Sequence, residues 1–332
     1  MSIPFVHRQA AHCESGATAN LLRHQGIHLS EALAFGIGGG LFFGYLPFIR
    51  LNRLPLVTYR KGPGGIFKAA TQRLGVRVEG RRFRDPEAGM AALDELLDRG
   101  IPVGAQTSVY WLPYLPPALR FHFNAHNLVV YGKQGETYLI SDPVMDEAVL
   151  CPAEDLRRAR FAAGDLAPKG RIYYLTAVPT ELDLRRAVRA GMGEVCRNMR
   201  NPVPIIGVRG MRRLARVIEG WPRRFAERRT VQHLGHLIRM QEEIGTGGGG
   251  FRFMYAAFLQ EAAGILEKPE LLDLSQRMTG IGDGWRDFAL LAARACKGRV
   301  TVAEACPELA ELLRRCAAGE EALFRDLAGV IR

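Results

Sequence analysis

The chain changes its hydrophobic rhythm at Thr180, and that change limits its fold more than any other feature. Before it, short apolar or alternating runs are separated by glycine, proline and asparagine-type turn signals, the spacing of strands and brief helices. From Thr180 onward apolar residues recur at helical spacing, interrupted at Pro202 and Pro204, at Gly220-Trp221-Pro222 and at the glycine run from Gly245 to Gly250. Helices and an antiparallel sheet in one part, nearly all helix in the other, make an α+β domain over residues 1–178 and a helical domain over 179–332.

Within the first part, a helix begins at Cys13 and ends by Gly26, and Ser30 is placed to cap a second. The glycines from Gly36 to Gly40 lack the spacing of a dinucleotide loop and read as a close backbone approach beside a buried strand at Leu41 to Leu46. Strands are expected at Leu54–Tyr59, Val76–Val78, Ile101–Thr107, Ala125–Tyr131, Glu136–Ser141 and Arg171–Thr176, and helices at Gly65–Leu74 and from Pro86 to about Arg99. Thr180-Glu181-Leu182-Asp183 is close to a capping box and opens the helical part.

Cys13 stands where a loop delivers it to the first turn of a helix. Unpaired N–H groups and the positive end of the helix dipole favour an anion there, so this thiol is expected to ionise more readily than a free cysteine. The plainer reading is a small buried residue that happens to be cysteine. A nucleophilic thiol needs a base and a group that orients the base. His126 opens one expected strand and Asp142 follows the next, and two antiparallel neighbours can bring those ends to the same sheet edge. Taken singly, His126 could be a histidine satisfied by backbone and Asp142 a turn residue before Pro143. Together with Cys13 they form the papain-like layout, a helix-borne thiol against a sheet carrying the base. His122 is the rival base, and His233 and His236 read as a half-exposed helix face. No metal site is expected.

The net charge of +11 is concentrated: residues 180–230 hold thirteen arginines and no lysine against five acids. Such a surface can attract an acidic protein, a membrane or nucleic acid, or be a set of solvated helix faces. No zinc-finger, RNP or Walker pattern accompanies it, so nucleic acid is not the expected partner. The apolar stretch from Leu33 to Phe48 is too broken by glycine for a confident membrane span. Six scattered cysteines without a CxxC pair suit reduced thiols in a cytoplasmic protein.

The stretch from His12 to Ala17, then Gly26, Leu29-Ser30-Glu31 and Gly36 to Tyr45, and later Ala125 to Gly132 with Asp142-Pro143, resemble the N-terminal domain of the butirosin biosynthesis protein H family. The remainder, with Gly245 to Gly250 before Phe251-Arg252-Phe253, is similar to the helical domain of unassigned function that often follows it. The resemblance implies a papain-like cysteine-peptidase fold and an acyltransferase in secondary metabolism. Cys13 would carry the acyl group, His126 would act as base and then acid, and Asp142 would orient it. The donor would be a carrier-protein or CoA-type thioester and the acceptor a small-molecule amine. No bound cofactor is implied beyond the phosphopantetheine arm of the donor. An acidic acyl carrier protein could dock on the arginine-rich segment 185–229, and self-association is compatible with the sequence.

Papain-like peptidases place a glutamine six residues before the cysteine as an oxyanion donor. That position is His7 here, so the candidate donors are His7, Gln9 and the Cys13 backbone N–H. Glu14, Tyr110, Gly247, Gly248 and Arg252 are candidates for holding substrate, the glycines by cradling a phosphate on consecutive N–H groups. A flexible linker or tight turn is the alternative for that run. Two further classes share the same three central residues: a cysteine peptidase or amidase with water as acceptor, and a binding protein that kept the fold without turnover.

Overall fold

A computed structural model describes residues 2–51, 53–244 and 247–331. The chain divides into two compact units, one of Met1–Ala34 and Ile66–Leu182, the other of Phe35–Gly65 and Asp183–Arg332.

In the first unit, α1 (Cys13–His24) and α3 (Gly65–Arg73) accompany a sheet whose strands, among the described residues, run in the order β3-β8-β4-β5-β6-β7. These are β3 (Arg77–Arg81), β4 (Val103–Thr107), β5 (His126–Gln134), β6 (Thr137–Ser141), β7 (Val149–Pro152) and β8 (Ile172–Ala177), and every pairing is antiparallel. Two more helices are α4 (Pro86–Asp98) and α5 (Ala153–Arg160). Asp85 caps α4, its carboxylate accepting from the Glu87 and Ala88 amides at 3.3 and 3.1 Å, with Pro86 in the first turn. Alternate residues of the central strands, among them Val103, Ala105, Leu128, Val130, Ile140 and Ile172, join Leu93, Leu97 and Leu156 of α4 and α5 in one buried core. The other face of β5, β4 and β8 is packed by α1.

The second unit contains β1 (Leu41–Leu51) and β2 (Leu54–Arg60), which form a two-stranded antiparallel sheet, with Gly44 also bridging Ile206. Its helices are α6 (Leu184–Met199), α7 (Gly207–Glu219), α8 (Trp221–Arg224), α9 (Glu227–Ile238), α10 (Arg252–Leu266), α11 (Glu270–Cys296) and α12 (Val302–Val330). The remaining helix, α2 (Glu31–Ile37), begins in the first unit and ends in the second. This division departs from a boundary at 178, because residues 35–65 group with the helices. The reason lies in packing: Phe43 and Tyr59 of the hairpin meet Trp285 of α11 at ring-centroid distances of 5.9 and 5.4 Å, and the three rings are buried. The glycines before β1 do serve close approach. A Cβ on Gly36 would stand 2.1 Å from the Phe258 ring and one on Gly40 2.5 Å from Phe35.

Two local readings are corrected. Asp183 itself is the N-cap of α6, accepting from the Arg186 amide at 2.9 Å, so the cap lies at the end of the Thr180–Asp183 stretch. His233 is buried and stacked on Phe225 at 5.1 Å, so the half-exposed reading fails there, whereas His236 is half-buried; burial lowers the pKa of both. Among the described residues no helix is long and apolar enough to cross a membrane, and no group of three His, Cys, Asp or Glu side chains could hold a metal.

Candidate functional site

Cys13 is the first residue of α1, and the turn that delivers it is clamped from α2. The Glu31 carboxylate accepts from the Ala11 amide at 2.8 Å, the His12 amide at 2.7 Å and the Ser15 hydroxyl at 3.1 Å. Burial raises the pKa of Glu31 and those backbone donors pull it down. His12 is the N-cap, with Nδ1 accepting from the Ser15 amide at 3.3 Å. One turn on, Gly16 allows the helix to lie against the segment after β6: a Cβ there would stand 2.5 Å from Cβ of Ala10 and 2.6 Å from Cβ of Pro143. Pro143 in turn accepts from the Ala10 amide at 2.7 Å. A residue with no side chain at position 16 is thus what brings the Cys13 turn beside Asp142-Pro143.

The sheet supplies the partners. His126 opens β5, Asp142 follows β6, and Nε2 of His126 lies 2.7 Å from Oδ2 of Asp142, with both side chains buried. Asp142 also accepts from the Tyr114 hydroxyl at 2.8 Å and, through Oδ1, from the Val144 amide at 3.2 Å. The buried carboxylate thus accepts three hydrogen bonds. Burial pulls the His126 pKa down, but the Asp142 charge and hydrogen bond, together with a hydrogen bond to Cys13, raise it to about 10. The pair therefore favours an imidazolium beside Cys13. Burial, then the Asp142 charge, pushes the Tyr114 pKa well above its ordinary value, so Tyr114 remains a phenol that donates.

Among the described residues, the other five thiols have no such partners for ionisation. Burial pushes Cys151, Cys196 and Cys316 up to about 12, Cys306 up to about 11, and Cys296 upward too, so each stays protonated at neutral pH. Among the described residues none of the six cysteines forms a disulfide.

Several expected site residues have other work. His7 is not placed as an oxyanion donor, because its Nδ1 bonds the Ser141 hydroxyl at 2.8 Å and its Nε2 the Met145 carbonyl at 3.1 Å. Gln9 is exposed. Glu14 is fully buried and accepts from the Ile66 and Phe67 amides at 2.8 and 3.1 Å, which caps α3 instead of facing substrate. His122, the rival base, is exposed and stacks on Tyr110 at 4.2 Å. Tyr110 borders an open cavity of about 380 Å³ with Trp111, Pro117, Arg120 and Arg158.

The glycine run is not a phosphate cradle. Gly245 lies outside the described residues, but Gly247, Gly248, Gly249 and Gly250 all have positive φ, and the Gly249 amide donates to the Glu242 carboxylate at 3.0 Å. An anion already holds that N–H. Arg252 is fully buried in a two-pronged ion pair with Glu320 at 2.9 and 3.0 Å, and its Nη1 donates to the Gly250 carbonyl at 2.7 Å. The run is a left-handed entry into α10 in which side chains would collide: a Cβ on Gly250 would stand 2.6 Å from the Tyr59 ring.

Sequence reasoning missed Glu31 as the clamp, Gly16 as the point of approach, the Tyr114 bond to Asp142, and Asn127 beside the thiol. Asn127 Nδ2 lies 4.0 Å from Cys13 Sγ. Its place next to His126 on a strand was the one available signal.

Residues 12–143 match the family profile of the butirosin biosynthesis protein H N-terminal domain, and residues 154–327 that of the domain of unknown function DUF4872. The second match spans just over half of the chain, so the chain belongs to the DUF4872 family, and its N-terminal part is similar to the butirosin biosynthesis protein H N-terminal domain. A comparison with curated proteins found no match. Among solved structures, a protein described as a C39-like peptidase from Bacillus anthracis is similar at 19% identity and a TM-score of 0.36, over 53% of this chain and 96% of its own. In the region similar to the butirosin biosynthesis protein H N-terminal domain, a helix-borne cysteine packs on an antiparallel sheet that carries a His–Asp pair. That is the arrangement of a papain-like cysteine enzyme.

Proposed function

We propose that the chain is an acyltransferase in which Cys13 takes an acyl or aminoacyl group from a thioester and passes it to an amine. The observation that carries this reading is the convergence of Cys13, His126 and the buried Asp142, with His126 raised to about 10. The Sγ thiolate attacks the thioester carbon, and the donor thiol leaves with the proton of the His126 imidazolium. The amine then attacks the acyl-enzyme, His126 takes its proton, and Sγ departs as thiolate. Asp142 holds the imidazole and stabilises its charged form in both halves. The likeness of residues 12–143 to the butirosin biosynthesis protein H N-terminal domain supports a biosynthetic setting.

The donor thioester is carried on a phosphopantetheine arm, and the acyl portion occupies the groove beside Tyr110 and Trp111. The partner is an acidic carrier protein that meets the second unit's arginines. Arg189, Arg197, Arg216, Arg223, Arg224 and Arg228 are exposed there, and steering by such a face raises association rates at low salt. Product analysis with an acyl thioester, with and without a primary amine, tests the reading. Amide formed in proportion to amine, at the expense of free acid, supports a transferase; free acid at an amine-independent rate identifies a hydrolase.

A further inference from the structure

Between Cys13 and the sheet lie two polar side chains that the three-residue scheme leaves out. Asn127 pairs with Gln106 across β5 and β4, and Tyr173 pairs with Gly104 across β8 and β4. Residues two apart share a face, so Asn127, Gln106, Gly104 and Tyr173 are all on the side that α1 covers. Asn127 and Tyr173 are both 3% exposed.

The orientation of the Asn127 amide follows from its partners. Its Nδ2 lies 3.2 Å from the Ala125 carbonyl, a group that only accepts, so the NH₂ must face that way. The Oδ1 then faces Tyr173, whose hydroxyl donates to it at 3.0 Å. Burial, followed by the neighbouring Glu14 charge, raises the Tyr173 pKa, which keeps it a phenol and a donor. One amide hydrogen goes to Ala125, and the Cys13 sulfur lies 4.0 Å from the same nitrogen, within reach of the second. The Tyr173 ring is seated by contact with Phe67 at 4.4 Å and by the bare backbone of Gly104, where a Cβ would stand 2.1 Å from the ring.

We propose that Asn127 is a further catalytic residue, donating from its side-chain amide to the Cys13 thiolate, with Tyr173 as the positioning residue that fixes the amide. The titratable groups that bear on this sulfur are His126 on β5 and Tyr173 on β8, and Glu14 on α1 and Arg171 just before β8 act in turn on Tyr173. His126 favours the thiolate by its charge. A neutral donor aimed at sulfur adds to that without introducing a second positive charge, and it offsets the cost of keeping an anion under a buried helix turn. The inference rests on Cys13 being the nucleophile, but on neither the donor nor the acceptor of the reaction.

Its test is the ultraviolet thiolate absorbance of the full chain as a function of pH, taken as the difference from Cys13→Ala, with circular dichroism confirming the fold of each variant. Asn127→Leu raises the thiol midpoint by about one pH unit, about tenfold less thiolate on its rising limb. Asn127→Asp, which turns the donor into an acidic acceptor, raises it further. Tyr173→Phe, the mildest change, raises it by about half a unit, about threefold. An unmoved midpoint in Tyr173→Phe together with folded Asn127→Leu or Asn127→Asp overturns the proposal while leaving the nucleophile in place. A wild-type thiol that titrates at the high pH of Cys196 overturns the nucleophile and the proposal together.

Discussion

Replacing Asp142 with asparagine removes the charge on which the site's electrostatics depend while keeping nearly the same shape. In the wild type Oδ2 accepts from His126 and Tyr114 and Oδ1 accepts from the Val144 amide. An asparagine has one acceptor oxygen and one NH₂, so either the Val144 amide or the His126–Tyr114 pair faces a donor instead of an acceptor. The rise of His126 from 6.5 to about 10 corresponds to about 5 kcal/mol in favour of the imidazolium, shared between Asp142 and Cys13. Taking the Asp142 share as a charge-assisted hydrogen bond, roughly 2–3 kcal/mol, Cys13 alkylation by iodoacetamide at mildly acidic pH falls by roughly 30- to 150-fold. The His126 imidazole, followed by NMR, titrates near pH 10 in the wild type and well below that in Asp142→Asn, where burial lowers it and only the Cys13 hydrogen bond and charge still raise it. The sign also fixes stability: a raised folded-state pKa contributes stability that is fully present below about 6.5 and lost as pH rises through about 10, so Asp142→Asn loses most against wild type on the acidic side. Alkylation within twofold of wild type, with His126 still titrating near 10, would refute the role given to Asp142.

Other changes probe the parts around it. Gly16→Ala sets a Cβ against Ala10 and Pro143, neither of which is a flexible side chain, and is expected to cost about 1–3 kcal/mol in thermal unfolding and to slow Cys13 alkylation. Arg252→Leu leaves Glu320 buried without its guanidinium and lowers stability by about 3–5 kcal/mol, while Arg252→Leu with Glu320→Leu recovers most of the loss; a specific loss of donor affinity at unchanged stability would instead return Arg252 to substrate binding. Arg223→Glu with Arg224→Glu raises KM for a carrier-bound donor several-fold and flattens its salt dependence, leaving kinetics with a small thioester unchanged; equal effects on both donors would remove the docking surface.

The sequence made the α+β part and the helical part separable because their apolar spacings differ, and most strand and helix positions in the first 178 residues followed from turn residues such as Gly75, Gly100 and Gly135, all with positive φ. β7 and α5 were not legible: Val149–Pro152 is short, and its pairing with β6 is a tertiary fact. The membership of residues 35–65 in the second unit depends on Trp285, far along the chain, meeting Tyr59 and Phe43. In the site, Cys13, His126 and Asp142 could be read because each carries its chemistry in its residue type and stands at the end of an element. The supporting groups could not. Glu31 looked like any first-turn acid, Gly16 like any small helix residue, and Arg252 like a cation for holding substrate although it is wholly buried. The glycine run misled because consecutive amides suggest an anion cradle, whereas the anion is supplied from within by Glu242.

The account turns on Cys13 forming an acyl-enzyme. Intact-protein mass spectrometry after mixing the full chain with an acyl thioester, followed by peptide mapping, is the direct measurement. The prediction is a mass increase equal to the acyl group, on the Cys13 peptide, absent in Cys13→Ala and discharged as amide when an amine is added. No adduct with any thioester, or the same adduct surviving in Cys13→Ala, would contradict it.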